Sequence, residues 1–533
     1  MRPGLCTDEI VRLIACELVA SGGRATAVAL ACCRKSFEDP VLRVLWGAQE
    51  RLLPLLKTLP GDVWKMGGCT VSSPTPLIFH SFNYLTRKSF NRLPTTPEWV
   101  RFRKYARKMR TLGERGDLYI LSPKVFSVLQ LCAVDEPLFP QLETLKFWRV
   151  TGEFVPFIPL FLSPGTIAID IAFERSRLPK VVVASMITTF PTLCPNLQEI
   201  TLRFLPRNPV IADAVSGMLL ASDQGTLRRF CVYSPLTEEA REVVFKLTNL
   251  RELSVVIERD ISLPPIVLPD LTDISITYDH DHDWLQGFRE ATIGKLASVT
   301  FRPESRPTCD FLEAFESVTL TTTIPATLST FRFYTLHPWR PNCRALLPFT
   351  QLKELVIDFS CDDSCSSTID DDIITDIARA MPKLEILRLG QAPCRTPAGV
   401  TVKGLAALAH YCLNLSTLRI HFQAASFDPR AFSGVTFGGG PTIPREDCAL
   451  RELDVGEIPL PEGSTLMVAI ILLRIFPRID FIRHFDNDWR KVMDAIEFSR
   501  QLDRSSKMSC PYSHHLEVKL MTPLSGAMLE NID

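Results

Sequence analysis

Residue types that bind metals gather most densely at positions 279–283, where the sequence reads Asp-His-Asp-His-Asp. Imidazole nitrogens and carboxylate oxygens are common zinc ligands. On a strand, however, alternation would place His280 and His282 on one face and the three aspartates on the other, so one ion could not easily collect both sets. The segment also directly follows a predicted strand. We therefore favour a polar loop, with a metal-dependent enzyme built around these two histidines as the alternative.

Other candidates for chemistry are weaker. Cys361 and Cys365 offer two thiols, but no second pair at zinc spacing occurs elsewhere. The sequence lacks a G-x-S-x-G nucleophile motif, an H-E-x-x-H metal motif and a Cys/His constellation. We therefore expect a protein without catalytic residues, cofactor or metal, and a non-enzymatic function.

A leucine pattern organises most of the chain. The segment Leu352–Ile357 has the form L-x-x-L-x-L, with aliphatic residues or phenylalanine at the marked positions. From Leu197 onward its first marked leucine recurs at intervals from 21 residues (Leu250 to Leu271) to 35 residues (Leu415 to Leu450), and the gap of 55 residues between Leu142 and Leu197 is long enough for two units. Leucine-rich repeats have a period of about 20–29 residues. The eleven copies begin at Leu142, Leu197, Leu227, Leu250, Leu271, Leu296, Leu328, Leu352, Leu384, Leu415 and Leu450, and a further strand is predicted at Ile167–Ile171.

The spacing within each copy predicts a short strand that buries one face. The last two marked residues lie two apart and therefore point to the same side. One such strand cannot bury its apolar face alone, whereas strands stacked in parallel build a continuous core. Helices predicted at Pro235–Leu247, Ile369–Met381 and Gly404–Cys412 return the chain between strands. We predict an α/β leucine-rich-repeat solenoid of about a dozen units, a curved parallel sheet with outer helices, over an ordinary α/β domain.

Composition restricts the class of protein further. Of the 533 residues, 46% are hydrophobic and 22% are charged, which is typical of a folded chain. The net charge of −1 provides no global field to attract nucleic acid or an anionic membrane. The uncharged apolar run Ser464–Leu473 is far shorter than the roughly 20 residues that span a bilayer. With no secretory signal visible, we expect the sixteen cysteines to be reduced and the protein to reside in the cytoplasm, the nucleus or both.

The first 46 residues predict a small all-α unit. Thr7 can cap a first helix, with Asp8 and Glu9 in its first turn. Ala25–Cys33 is small and apolar throughout, which predicts a buried second helix, and Pro40 is suited to the start of a third. Three short helices bury too little surface for a robust core, so a partner is expected.

The same unit resembles an F-box in its fungal form. The resemblance is carried by an acidic and aliphatic first helix at Asp8–Ile14, by the run Ala29–Phe37, and by Pro40–Trp46. Leu59–Trp64 and Trp99–Arg110 look like the connector of fungal F-box/leucine-rich-repeat proteins. The family has Leu-Pro before its first helix, whereas residues 5–7 here are Leu-Cys-Thr.

The resemblance implies a substrate receptor of an SCF-type ubiquitin ligase. In that family the F-box docks on a Skp-type adaptor, which bridges to cullin, and the repeats capture a protein substrate. The alternative is an interaction scaffold without ligase association. The motif positions that imply adaptor contacts, and that could equally be part of the unit's own core, are Leu5, Ile10, Ile14, Leu30, Cys33, Phe37, Leu45 and Trp46.

The open face of the predicted sheet is the expected substrate site. Residues that alternate with the buried strand positions must share this face, and Tyr, Trp and Arg are enriched in protein interfaces. A solvated sheet face with incidental aromatics is the other interpretation. The candidate substrate-binding residues are Trp148, Arg203, Arg229, Tyr233, Arg332, Tyr334, Arg388, Arg419 and His421. The inserts 302–325 and 422–447 are predicted loops that could also contact a ligand.

The connecting region carries a basic helix with an apolar stripe. Trp99, Phe102, Tyr105, Ala106 and Met109 follow the spacing of a helix packed on a core, so we favour packing over membrane or nucleic-acid binding. The predicted domains are the F-box-like unit at 1–46, a helical connector and cap at 47–140, the repeat array at 141–485, and a C-terminal helix and tail at 486–533.

Overall fold

The chain forms two compact units, Met1–Leu336 and His337–Asp533. The computed structural model describes residues 3–67, 87–114, 121–133, 136–174, 178–258, 263–279, 283–289, 291–308, 310–320, 322–360, 369–390, 399–427, 448–456, 458–484 and 487–508. Both units are built of parallel strands and helices, which confirms the predicted α/β class.

The first unit contains a parallel sheet whose strands are hydrogen-bonded in the order β1, β4 and then β5 through β12. A separate antiparallel pair is formed by β2 and β3. The strands are β1 Ala48–Gln49, β2 Trp64–Gly67, β3 Arg87–Phe90, β4 Thr111–Glu114, β5 Thr144–Val150, β6 Ala168–Phe173, β7 Glu199–Arg203, β8 Arg229–Pro235, β9 Glu252–Ile257, β10 Asp273–Tyr278, β11 Ser298–Pro303 and β12 Thr330–Pro338.

Helices connect these strands. They are α1 Pro3–Ala20, α2 Arg24–Cys33, α3 Lys35–Gly47, α4 Leu53–Leu56, α5 Thr96–Ala106, α6 Pro123–Cys132, α7 Lys180–Leu193, α8 Pro209–Ala221, α9 Glu238–Val244, α10 Phe311–Thr319 and α11 Ile324–Thr327. Short 3-10 turns at Gly61–Val63, Val155–Phe161 and Asp283–Phe288 complete the described connections.

The second unit repeats the arrangement. Its parallel strands are β13 Glu354–Ser360, β14 Ile386–Leu389, β15 Thr417–Ile420, β16 Glu452–Gly456 and β17 Phe481–His484, paired in sequence order. Its helices are α12 Asp371–Ala380, α13 Val402–Tyr411, α14 Thr465–Ile475 and α15 Asn487–Met508, with 3-10 turns at Cys343–Leu346 and Ala424–Ser426. The helices predicted before β14 and β15 are therefore confirmed.

The leucine motifs explain the strands. Every one of the eleven predicted copies contributes a strand, and each marked side chain is at most 4% exposed. In the first unit the central residues Ile169, Ile200, Phe230 and Leu253 are direct partners on successive strands. Burying a side chain of this size stabilises the fold by about 1.5–3 kcal/mol. Stacking is thus the source of the core, as the period predicts.

Neighbouring helices in the second unit share a cap. Asp371, in the first turn of α12, accepts hydrogen bonds from the backbone N–H groups of Thr401 (2.7 Å) and Gly404 (2.9 Å). The Thr401 hydroxyl donates to its other oxygen at 2.6 Å. A Cβ on residue 404 would lie 2.7 Å from the Asp371 carboxylate, so glycine leaves room for this contact. The carboxylate therefore satisfies free N–H groups at the start of α13.

We expect Asp371→Ala to lower the free energy of unfolding by about 1–3 kcal/mol, because it leaves the N–H groups of Thr401 and Gly404 without their acceptor. Denaturant unfolding monitored by circular dichroism measures the change. Asp372→Ala is the matched control, since Asp372 is exposed in the same helical turn. Equal stability of the two variants would contradict the capping role.

The N-terminal helices differ from prediction in three ways. Helix α1 begins at Pro3 instead of at a Thr7 cap, and α3 begins at Lys35, which places Pro40 inside it. The expectation of a buried second helix is wrong: among residues 24–33, all of which are described, only Ala27 is buried. A helix in a three-helix unit turns one face inward, and an all-apolar sequence does not prevent the others from remaining exposed.

The connector contributes to the sheet. Strands β1 and β4 lie within the predicted 47–140 segment, yet they pair with each other, and β4 pairs with β5 of the repeat array. Helix α5 buries Phe102 and Ala106, which confirms that its apolar stripe packs on a core. Among the described helices, none is long and apolar enough to cross a membrane.

Candidate functional site

The three N-terminal helices enclose a small core and leave an apolar surface outside it. Val11, Ala15, Ala27 and Val41 form the core. Three residues on another side of α1 are exposed, Ile10 at 55%, Leu13 at 56% and Ile14 at 46%. Val28 of α2 is exposed as well. We call Ile10, Leu13 and Ile14, which share one face of α1, the apolar patch.

The predicted adaptor residues divide between this patch and the unit's interior. Ile10 and Ile14 belong to the patch, and Cys33 is exposed, with its thiol donating to the Ala29 carbonyl oxygen. The side chain of Leu5 lies outside the described residues. Leu30, Phe37 and Leu45 are half-buried against the core. Leu13 and Val28 are absent from the predicted set, although the spacing of Ile10, Leu13 and Ile14 on one helix could have added Leu13.

Trp46 lies at the junction between the helical unit and the sheet. Its ring is 4.7 Å from the ring of Tyr105. Beside it, Lys104 pairs with Glu38 at 2.7 Å and Lys108 pairs with Asp39. The backbone N–H of Arg110 donates to the carbonyl of residue 47. These contacts join α3 to α5 and to the segment that leads into β4, and the Trp46 ring is part of this junction.

The ion pairs at the junction depend on pH. The hydrogen bond from Lys104 lowers the pKa of Glu38 below its ordinary 4.5, and that from Lys108 lowers the pKa of Asp39 below 3.8. A carboxyl whose pKa falls on folding stabilises the fold fully above its ordinary pKa, and this contribution disappears as pH falls through the folded value.

We therefore expect Glu38→Gln/Asp39→Asn to lower the melting temperature at pH 7, with a difference from wild type that shrinks as pH falls below about 4.5. Scanning calorimetry across pH measures this. Glu50→Gln, at an exposed carboxyl close in sequence, is the control and should leave the melting temperature at pH 7 close to that of wild type. A difference that stays constant with pH would show that the substitutions act through packing instead.

The open face of the first unit carries a row of aromatic and arginine side chains. Each of these side chains directly follows the third apolar residue of an L-x-x-L-x-L copy and alternates with the buried strand positions. They lie on β5, β7, β8, β11 and β12. We define the strand-face row as Trp148, Arg203, Tyr233, Arg302 and Tyr334. Four of the five are in the predicted set. Arg302 was missed, although strand alternation from Phe301 identifies it.

One end of this row is built around Trp148, which is 39% exposed. A β-bulge between Phe147 and Val150 adds one residue to β5, and Arg149 within it adopts φ 58°. The guanidinium of Arg203 lies 5.1 Å from the Trp148 ring, within cation–π range. Left-handed backbone at a non-glycine residue costs free energy and is concentrated at functional sites.

Acidic residues neutralise two of the predicted arginines in this unit. Arg203 pairs with Asp170 at 3.2 Å. Arg229 pairs with Glu199 at 2.9 Å and with Glu252, and the Glu252 hydrogen bond raises the pKa of Arg229. Burial raises the pKa of Asp170, and nearby cations only partly offset it. A cleft across β5–β8 is lined by Lys146, Asp170, Glu199 and Arg229, among others.

The other end of the row has a different arrangement. The Arg302 guanidinium lies 5.9 Å from the Tyr233 ring and 5.4 Å from the Tyr334 ring. Its Nη1 donates to the Tyr233 hydroxyl at 3.1 Å and to the Ser275 hydroxyl at 3.2 Å. Two predicted tyrosines thus meet at an arginine. Arg332, also predicted, is half-buried on the same strand as Tyr334.

The remaining predicted residues lie in the second unit. Arg419 pairs with Asp454 at 2.8 Å and lies 3.8 Å from Asp358. Burial raises the pKa of Asp358 and lowers that of His421. Arg388 is the direct strand partner of Arg419. Arg419 is therefore engaged within the protein, and the sequence prediction missed both of its aspartates.

Several predicted features fall outside the described residues. They are His280 and His282 of the possible metal cluster, Cys361 and Cys365, and most of the 422–447 insert. Within the parts of the chain that the structure describes, no group of three His, Cys, Asp or Glu side chains is placed to hold a metal. The 302–325 insert contains α10, so it is more than a loop.

Comparison of the sequence with models of protein families finds no match, and comparison with curated proteins finds none either. The geometry of the apolar patch, the junction and the strand-face row is therefore the basis for assigning a function.

Proposed function

We propose that this chain is an F-box/leucine-rich-repeat protein, a three-helix docking unit joined to an array of repeated strands. Within that class we propose that it is the substrate receptor of an SCF-type ubiquitin ligase. The apolar patch binds a Skp-type adaptor, the adaptor recruits cullin, and the repeat face holds the protein substrate.

The observation that carries this proposal is the exposure of Ile10, Leu13 and Ile14 on one helix. A small unit gains little by leaving three large aliphatic side chains in water, because burial of each contributes about 1.5–3 kcal/mol. Contiguous exposed apolar surface marks protein interaction sites. The patch lies in the segment whose sequence resembles an F-box, which is where adaptor contacts are expected.

The junction supports a role in presentation. A receptor must hold its substrate at a defined place relative to the adaptor. The Trp46–Tyr105 contact, the Lys104–Glu38 pair and the pairing of β1 with β4 connect the docking helices directly to the sheet. A flexible tether would not provide this positioning.

The test is ligase assembly. The full chain is co-expressed with a Skp-type adaptor and a cullin, and complexes are isolated by gel filtration. We expect the cullin to co-elute with this chain only when the adaptor is present. A folded chain that never joins the complex would favour the alternative, a repeat scaffold whose helical unit serves only as a cap.

A further inference from the structure

In the described part of the chain, the Arg302 side chain has only neutral partners. Among the residues that the structure describes, no carboxylate pairs with it, whereas Arg203 and Arg229 on the same face both pair with acids. Arg302 instead rests against two tyrosine rings and donates to two hydroxyls. Neutral partners hold the guanidinium in place and leave its charge available.

The Arg302 side chain spans several strands, and its guanidinium is held by the contacts it makes there. It extends from β11 past β10 and β9 to Tyr233 on β8, where neighbouring parallel strands are about 4.8 Å apart. Val256 and Thr277, the residues of β9 and β10 in its register, are buried. Tyr334 lies on its other side, so the guanidinium has less conformational freedom than that of an exposed arginine. A ligand that binds the guanidinium therefore restricts it at a smaller cost in conformational entropy.

The hydrogen bonds of the Arg302 side chain to described residues use only one of the three guanidinium nitrogens. Both protein hydrogen bonds use Nη1. Within the described chain, Nε and Nη2 have no acceptor. These two N–H groups form the planar fork that binds a carboxylate through two parallel hydrogen bonds. The flanking tyrosine rings can contact the methylene groups of an acidic side chain.

We propose that Arg302 is the specificity-determining residue of this face, and that it binds an aspartate or glutamate of a protein segment lying across β8–β12. The charge complementarity identifies the occupant. The inference deepens the proposed receptor function, which supplies the reason for capturing such a segment, but its chemistry does not depend on the ligase.

The test uses random peptides displayed on phage and selected on the full-length protein. We expect the selected peptides to share an acidic residue. For a synthetic peptide of the selected sequence, the Asp→Asn or Glu→Gln change should weaken binding by at least about tenfold on the wild-type protein, and have little effect on Arg302→Gln. Arg302→Lys should recover part of the acid preference, and Lys180→Gln, at an exposed cation on α7 away from the strand-face row, should leave it unchanged.

Three results would overturn the proposal: no peptide selected, a selected motif without an acid, or an equal loss on amide substitution in wild type and Arg302→Gln. Phosphoserine replacing the acid with a large gain in affinity would assign the site to phosphate instead. Adaptor binding is measured separately on the same variants. Acid-dependent peptide binding without adaptor binding would support this inference while contradicting the ligase proposal.

Discussion

The double variant Ile10→Asp/Ile14→Asp is expected to lose affinity for a Skp-type adaptor by at least about 100-fold while remaining folded. Hot-spot side chains each contribute about 2 kcal/mol or more, which is about 30-fold in the dissociation constant. Aspartate also places an unpaired charge in an apolar interface. Both isoleucines are about half exposed, so neither change removes core packing. Isothermal titration calorimetry measures the affinity, and circular dichroism checks the fold.

Val100→Asp provides the control for this variant. Val100 is 62% exposed on α5, outside the apolar patch, so the same substitution there should leave adaptor affinity unchanged. If the double variant binds as tightly as wild type, the patch is not the docking surface. If Val100→Asp weakens binding as strongly, the loss reflects added negative charge and carries no information about the patch.

The second large effect is expected at Trp489, where Trp489→Ala should destabilise the second unit by about 3–5 kcal/mol. Trp489 is fully buried near the start of α15 and packs edge-on against Phe422. Its indole N–H donates to the carbonyl of Ile458 at 2.6 Å. The alanine variant leaves a cavity and also deprives that carbonyl of its partner. The C-terminal helix is therefore part of the core of the second unit.

Denaturant unfolding of the full chain measures this effect. Trp489→Phe keeps most of the ring packing and should be milder than the alanine variant. Phe498→Ala, on the same helix but 61% exposed, should change stability little. A Trp489→Ala protein as stable as the Phe498→Ala protein would contradict a structural role for α15.

The strand array was predictable because its signal is repeated and its physics is simple. Three apolar residues at fixed spacing must be buried, and all three are buried in every copy. Strands β1, β4 and β17 were not predicted. They are two to four residues long, and β4 buries only Leu112 among its residues with described side chains. Such strands form because a neighbouring strand supplies backbone hydrogen-bond partners. The local sequence gives no signal of that neighbour.

The sequence predicted which residues lie on the open face of the sheet, but not which of them form ion pairs. Strand alternation identified which residues share the open face, including Trp148 and Tyr233. It could not show that Glu199, Arg229 and Glu252 are direct partners on three successive strands. That depends on the register between strands. Register therefore decides which cations pair with carboxylates, as Arg229 does, and which have only neutral partners among the described residues, as Arg302 does.

The helical unit shows a similar limit. Its sequence indicated apolar anchors, but composition alone did not distinguish the face of α1 that carries Val11 and Ala15 from the face that carries Ile10 and Ile14. Nor did it show that Trp46 meets Tyr105, a residue 59 positions later in the chain. Both facts follow from how three helices pack together and onto the connector.

Direct binding of the purified chain to a Skp-type adaptor tests the central claim. Full-length protein is titrated beside a chain lacking residues 1–46, with circular dichroism to establish that both are folded. We expect saturable, one-to-one binding by the full chain and none by the shortened chain. A folded full-length protein that does not bind, or equal binding by both chains, would contradict the assignment of the N-terminal helices as the docking unit of a ligase receptor.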